Sequence, residues 1–523
     1  AGLMTAQLDA QGRPIAGTGN DFADFLLGLP QSTNVRFGSS RTYFRSWGFN
    51  AYVQDDWRIH PRFSLTFGLR YELATAPVEL FDKLANLDID SAITQVALVL
   101  PGQIAPFSGE LPRSLIRTDV NNFSPRLGLA WRPKLPGKWP RNMTVRAGYS
   151  RFYNGSVYTQ LSTQLANQPP HASAQTILTS ATQVLTLQNG FPPVTPGEVP
   201  NTVAVDPNYK VGYAQIWNTA IETQISTNWF FDITYTGTKG THLDLLRSPN
   251  RALPGSPLTT EDNRRIPNAP GFTYDTYGAS SIYHALQINL RRRMARGFMV
   301  MGTYTFGKSI DNASSIGGGA QVVVQDDTNF RAERGLSSFD VRHQFRSFFN
   351  YELPFGERHR FASKGWQAEV FGSWTLNGNI TAQTGTPFTA RVLGSAANNS
   401  GTGNNFSERA DQVGDPRLPR SQRTTQLWFN TSAFALPAPG LFGNAARNSI
   451  PGPGLFNVNL SLGKGIRFGR DRQRRMDLRW EVQNVFNHPN YGSIGTVVNS
   501  TTYGRVLSVR GMRTMELNLR VNF

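Results

Sequence analysis

Gly302, Gly307, Lys308 and Ser309 satisfy the spacing G-x-x-x-x-G-K-S, which in another setting cradles the phosphates of a nucleotide. Such a cradle needs a glycine-rich loop between a buried strand and a helix, so that backbone N–H groups converge on the anion. Here Thr303 to Phe306 alternates as a strand and the stretch after Ile310 has no helical period, so no nucleotide site is read. The seven histidines show no metal spacing, and Tyr283 and His284, adjacent on one strand, face opposite ways. Asp326, Asp327 and Asp340 offer the oxygen chemistry of a Ca²⁺ site but are read as solvated loop acids, and Asp411 and Asp415 as turn formers. Cysteine is absent, which removes disulfides, thiolate ligands and thiol nucleophiles together. A Ser–His–Asp set assembles in space and is not legible from spacing. No catalytic residue, cofactor or metal is assigned, and an enzyme is not expected.

The remaining chemistry is polar and lies on every second residue. In Phe63 to Leu73 the side chains of Phe63, Leu65, Phe67, Leu69, Tyr71 and Leu73 point one way. Ser64, Thr66, Gly68, Arg70 and Glu72 point the other, the period-two signature of a strand. The same alternation runs through Met143–Ser150, Trp229–Thr236, Leu286–Arg291, Phe298–Phe306 and Met476–Gln483. Weaker versions occupy 47–53, 125–131, 217–225, 341–353, 370–382 and 456–462. The polar faces nominate Arg70, Glu72, Arg146, Asp232, Gln287, Arg291, Arg479 and Glu481 as residues that border an enclosed, wet lumen.

Composition narrows what those strands build. The chain has 523 residues, Lys+Arg 52 against Asp+Glu 35, a net charge of +17 and 39% hydrophobic residues. That is too apolar for wholesale disorder, and no run approaches the roughly 18 apolar residues of a membrane helix. The basic excess is not a nucleic-acid footprint, because Lys and Arg form neither a stripe nor a patch. They sit in short turns, as at Arg291–Arg293 and Arg467–Arg475, or on polar strand faces such as Arg126 and Arg346. On a lipid-facing midplane each would cost about 2–4 kcal/mol, a cost that a wet lumen removes.

A soluble sandwich also has one buried and one wet face. Strand length, aromatic residues towards strand ends, and the rhythm of the links favour a membrane barrel instead. Short links near 58–62, 133–141, 227–228, 292–297, 354–367 and 467–474 alternate with long ones. The long ones, about 74–122, 154–212, 239–280, 310–340, 383–454 and 487–512, are rich in Gly, Pro, Asn and Ser. Outer-membrane barrels pair tight periplasmic turns with long extracellular loops, whereas compact soluble domains rarely tolerate repeated structureless links of that length. Residues 1–40 are read as an extracellular loop region before the first strand, and 41–523 as the barrel.

The last strand alternates through Met515, Leu517, Leu519 and Val521 to the terminal Phe523. An apolar final strand with a terminal aromatic suits the barrel-assembly machinery, which engages such a strand by edge pairing. The count reaches about thirteen strands, an odd number that cannot close alone. The expected fold is all-β: the C-terminal part of a larger transmembrane antiparallel barrel. The absence of a signal segment at Ala1 agrees with that expectation.

These segments carry a family likeness. FADFLLGLP (22–30), YTGTKGTHL (235–243), SIYHALQINLRRR (281–293), YTFGKSIDNASS (304–315), ERGLSSFDVRHQF (333–345), YELPFG (351–356), QTGTPFTA (383–390), WFNTSAFALPAPGLFGNAARN (428–448) and EVQNVFNHPNYG (481–492) resemble Oar-like TonB-dependent outer-membrane receptors of the acidobacterial type. The likeness runs from about residue 20 to the end. It implies a barrel of about 22 strands, a plug within it and often a carboxypeptidase-regulatory-like domain, both upstream of Ala1. It also implies energised transport of a ligand, with a TonB-type protein pulling on the plug. The implied partners are outer-membrane lipid, the assembly machinery and that energising protein. Two other readings stay open: a surface adhesin or export component that uses the long loops, and a passive porin without a plug. The lumen arginines would either draw anionic cargo or pair with acids of the wall and plug.

Overall fold

The computed structural model describes residues 5–7, 18–30, 32–38, 41–134, 142–178, 185–190, 199, 201–255, 264–269, 271–313, 323–357, 359–392, 408–438, 440–468 and 474–522. Phe523 and positions 469–473 of the basic turn lie outside them.

Thirteen long strands form one antiparallel meander in which each strand pairs with its neighbours in sequence. They are β1 (Gly48–His60), β2 (Phe63–Ala74), β3 (Phe123–Trp131), β4 (Met143–Tyr153), β5 (Tyr213–Ser226), β6 (Trp229–Arg247) and β7 (Thr273–Ala295). The path continues through β8 (Phe298–Asp311), β9 (His343–Glu352), β10 (Trp374–Gln383), β11 (Leu455–Phe468), β12 (Arg474–Gln483) and β13 (Thr514–Asn522). Short pieces at Val203–Val205 and Gly335–Leu336 add to β7 and β8. No ladder joins β1 to β13 among the described residues, so the sheet ends in two open edges.

The links alternate as read from the sequence. At one end the turns are tight: residues 61–62, 227–228 and 296–297 close three hairpins. Arg296 and Gly297 both have positive φ, 51° and 73°, the twist that a two-residue hairpin turn requires and that glycine tolerates best. The link between β9 and β10 holds the helix Gly365–Phe371.

Three expectations need correction. Arg291, Arg292 and Arg293, read as part of a short turn, lie within β7, and the turn is confined to 296–297. The hairpin of β6 and β7 reaches far beyond its predicted ends, so the predicted loop 239–280 shrinks to 248–272. Register shifts at Gly240/Leu243 and Leu243/Leu245, with His242 at φ 53°, break the alternation there and hide the strand from a period-two reading. Gly237 belongs to the same stretch: a Cβ there would lie 2.2 Å from the Trp217 ring, so the indole packs flat only over glycine.

The long links, moreover, are not structureless. The helix Val157–Ala166 buries Tyr158, Leu161, Leu165 and Ala166, a helical stripe, against Leu84, Leu115, Ile116 and Tyr209. A second cluster joins Ala390, Phe429, Phe434, Ile450 and Ile494, and a third joins Leu87, Ile266, Ala269 and Phe272. Residues 1–40 contribute the strand Ser32–Gly38, paired with Ala172–Leu178. The packed interior is thus a loop layer at one end of the sheet, built from segments distant in sequence and therefore invisible to local pattern.

Candidate functional site

Residues directly opposite in an antiparallel ladder share a face, so the register sorts all thirteen strands. One row runs Thr144–Glu222–Asp232–Asn289–Thr303–Arg346–Thr381–Asn457, across eight strands. Its one-residue neighbour runs Trp131–Val145–Ile221–Ile233–Ile288–Tyr304–Phe345–Ala382–Phe456. Alternation in every strand extends this division over the sheet: one face polar, the other apolar.

Among the described residues no second sheet or helical layer packs over the apolar face. Phe67, Leu69, Leu127, Leu286, Leu290, Tyr304, Phe345, Trp480 and Leu517 are exposed, and the buried clusters contain almost none of the sheet's apolar face. A soluble sandwich buries this face against a second layer; here the strands leave it for hydrocarbon. Polar tips on that side are satisfied locally: Tyr235 Oη lies 2.8 Å from His284 Nδ1, and Tyr304 Oη lies 2.7 Å from His343 Nδ1. Lys464, also on the apolar side, donates to the carbonyls of Glu369 and Val370 at the end of the helix in the β9–β10 link and lies over the Trp374 ring. Met515, Leu517, Leu519 and Val521 lie on the same face of the edge strand β13.

All eight nominated residues lie on the polar face, but not as one cluster. Arg70 Nε contacts Glu72 Oε1 at 2.6 Å and its Nη2 donates to Asn50 Oδ1 at 3.0 Å. Arg146 faces Glu222 at 3.4 Å, and Arg479 faces Glu481 at 3.3 Å. Asp232 accepts from Asn289 Nδ2 at 2.7 Å, while Asn289 Oδ1 accepts from Thr303 Oγ1 and from Gln287 Nε2. Arg291 stacks over Phe230 at 5.1 Å. Asn50, Glu222, Asn289 and Thr303 were missed from sequence, because partnership across strands follows register, which the period alone leaves unset. These half-exposed pairs are each worth no more than about 1 kcal/mol. Their effect is a wall of alternating charge and amide.

Two of the three loop acids depart from the reading as solvated groups, whereas the Asp326 carboxylate accepts from the nearby Thr328 at an exposed turn. Asp327 is held by both Nε and Nη2 of Arg247, each at 2.7 Å, and Asp340 accepts from the Ser309 backbone N–H at 2.6 Å. Both carboxylates are nearly buried, at 7% and 6% side-chain exposure. The Lys308–Ser309 pair of the glycine motif lies within strand β8. Asp415 caps the Arg417 N–H as a turn former would, whereas Asp411 pairs in a short ladder with Ala435.

Burial pushes the Glu408 carboxyl up to about 7, against the pull of Arg251 and Arg409. A raised carboxyl keeps its proton in the folded state while the unfolded chain releases it. The stability it confers is full below about 4.5 and is lost as pH rises towards about 7. Glu408→Gln is expected to flatten that slope in thermal melts of the loop layer between those pH values. An unchanged slope would show that Glu408 does not set it.

Residues 2–516 of the chain match the family described as outer membrane beta barrel domain. No curated protein matches the chain. Among solved structures it is similar to the ferripyoverdine receptor of the outer membrane of Pseudomonas aeruginosa, at 11% identity and a TM-score of 0.40, over 91% of this chain and 38% of that one. It is also similar to the outer membrane transporter YddB from Escherichia coli, at 10% identity and a TM-score of 0.40, over 91% of this chain and 53% of that one. The ferric citrate transporter FecA gives 10% identity and a TM-score of 0.40, over 90% of this chain and 44% of that one. The chain therefore spans roughly two fifths to one half of the length of these structures.

Proposed function

This chain belongs to the outer membrane beta-barrel family, and we propose that its thirteen strands form part of the wall of a TonB-dependent, Oar-like receptor or transporter. In this reading further strands pair with the open edges of β1 and β13, bringing the barrel to about 22 strands around a plug. Arg70, Glu72, Arg146, Asp232, Gln287, Arg291, Arg479 and Glu481 face the lumen. The loop layer faces the cell exterior and receives the ligand, and a TonB-type partner energises passage. Met515, Leu517, Leu519, Val521 and Phe523 serve the assembly machinery. The observation that carries the reading is the single apolar face shared by thirteen strands, over which no second sheet or helical layer packs among the described residues.

Because the chain has no cysteine, it offers a clean background for accessibility mapping. Single cysteines at Ser64, Thr66 and Gly68 are expected to react with a water-soluble thiol reagent in the membrane-embedded protein. Cysteines at Leu65, Phe67 and Leu69 are expected to stay unlabelled. Equal labelling of both sets would exclude the lipid-facing assignment.

A second reading, a surface adhesin, is favoured by one observation: the long links pack into a folded layer with its own buried clusters. In the transporter reading that layer gates a ligand; in the adhesin reading it is itself the binding surface.

A further inference from the structure

A cleft of about 980 Å³ opens where the segment 417–428 overhangs the ends of β8 to β11. Its floor includes one row of the apolar face, Tyr304, Phe345, Ala382 and Phe456, directly opposite one another across four strands, and Gln344 and Gln383 of the adjoining polar row reach it at the strand ends. Its rim is cationic, with Arg342, Arg417, Arg420 and Arg423 all lining it. Asp340 also lines it and offsets Arg342 at 3.6 Å, which leaves three guanidiniums with no carboxylate in ion-pair reach among the described residues. Arg423 is anchored by its bond to the Leu418 carbonyl and lies over Trp428, whose indole N–H is fixed on the Pro451 carbonyl. Arg417 and Arg420 are exposed and free to turn towards a ligand.

We propose that this cleft seats the phosphorylated headgroup of an outer-leaflet lipid, with the guanidiniums on the phosphates and the acyl chains running down the apolar face. Charge complementarity selects the headgroup, since planar guanidiniums match phosphate oxygens in bidentate fashion. The apolar floor selects a lipid over a soluble anion, because the row that forms it continues the face turned to hydrocarbon. The inference rests on the membrane orientation proposed above.

The test uses the intact protein extracted from outer membranes into mild detergent, titrated by native mass spectrometry. The ligands are a diphosphorylated lipid A, the same lipid without phosphates, and inorganic pyrophosphate. Diphosphorylated lipid A is expected to bind about tenfold or more tightly than its dephosphorylated form. Arg417→Gln with Arg420→Gln should lose that preference, and Arg417→Lys with Arg420→Lys should retain part of it. Protease resistance of the loop layer checks that each variant is folded. Equal binding of both lipids, an unchanged double Gln variant, or pyrophosphate binding as tightly as the lipid would overturn the proposal. Orientation is read separately, from a cysteine at the exposed Leu441 and an impermeant maleimide on intact cells. Failure of that labelling would indict the orientation, whereas failure in the titration would indict the cleft.

Discussion

Arg409→Met is expected to melt the loop layer while leaving the strands paired. Arg409 Nη1 donates to Glu333 Oε2 at 2.8 Å, and the two side chains are 1% and 2% exposed. Gln325 locks the pair from the side: its Oε1 accepts from the Arg409 backbone N–H, and its own N–H donates to Glu333 Oε1. Its amide group then donates to the Gly443 carbonyl. Removing the guanidinium strands a carboxylate that has no access to water, a change that costs about 3–5 kcal/mol. The layer is held by modest clusters, so a loss of this size is enough to open it. Amide hydrogen exchange across 323–336 and 408–413 should rise sharply, with strand amides in β2 to β4 unaffected. Adding Glu333→Leu should recover most of the loss, because a matched apolar pair of similar volume is close to neutral in a buried site. Normal protection in the single variant would mean that the pair contributes nothing to the layer.

Ile233→Arg is expected to prevent insertion, and Thr234→Arg to permit it. Ile233 sits on the apolar row between Ile221 and Ile288, four residues from the aromatic Trp229 at the tight-turn end of its strand. That places it near the bilayer midplane, where arginine on the lipid face costs about 2–4 kcal/mol. Thr234 lies one residue away on the polar row between Ala220 and Gln287, where a guanidinium stays hydrated. Folding into vesicles, followed by the heat-resistant gel band or by protection from protease, distinguishes the two. Equal yields would mean that the faces are not divided between lipid and water.

The second of these results comes from a division of faces that was already legible in the sequence, whereas the first comes from the loop layer, where Arg409 and Glu333 meet from segments far apart in the chain. The strand FSLTFGLRYEL declares its two faces residue by residue, and so do the segments around Trp229, Leu286, Phe298 and Met476. The short and long links also alternate as read, because tight turns need few residues of special backbone. Legibility failed at Gly240 and Leu243, where bulges interrupt the period of a strand that nonetheless continues to Arg247. It failed again in the long links, where composition suggested unstructured loops and the chain instead buries Leu84, Leu115, Tyr158 and Tyr209 together.

The sequence by itself determined the two faces of each strand wherever the alternation runs unbroken, because a side-chain period of two is a local property of an extended backbone. Only the tertiary structure decided which polar residues become partners. It set Glu222 beside Arg146 and Asn289 beside Asp232, buried Asp327 under Arg247, and brought the arginines of 417–423 into one cleft with the ends of β8 to β11. Those neighbours depend on register and on contacts between segments tens of residues apart or more, which no local pattern encodes.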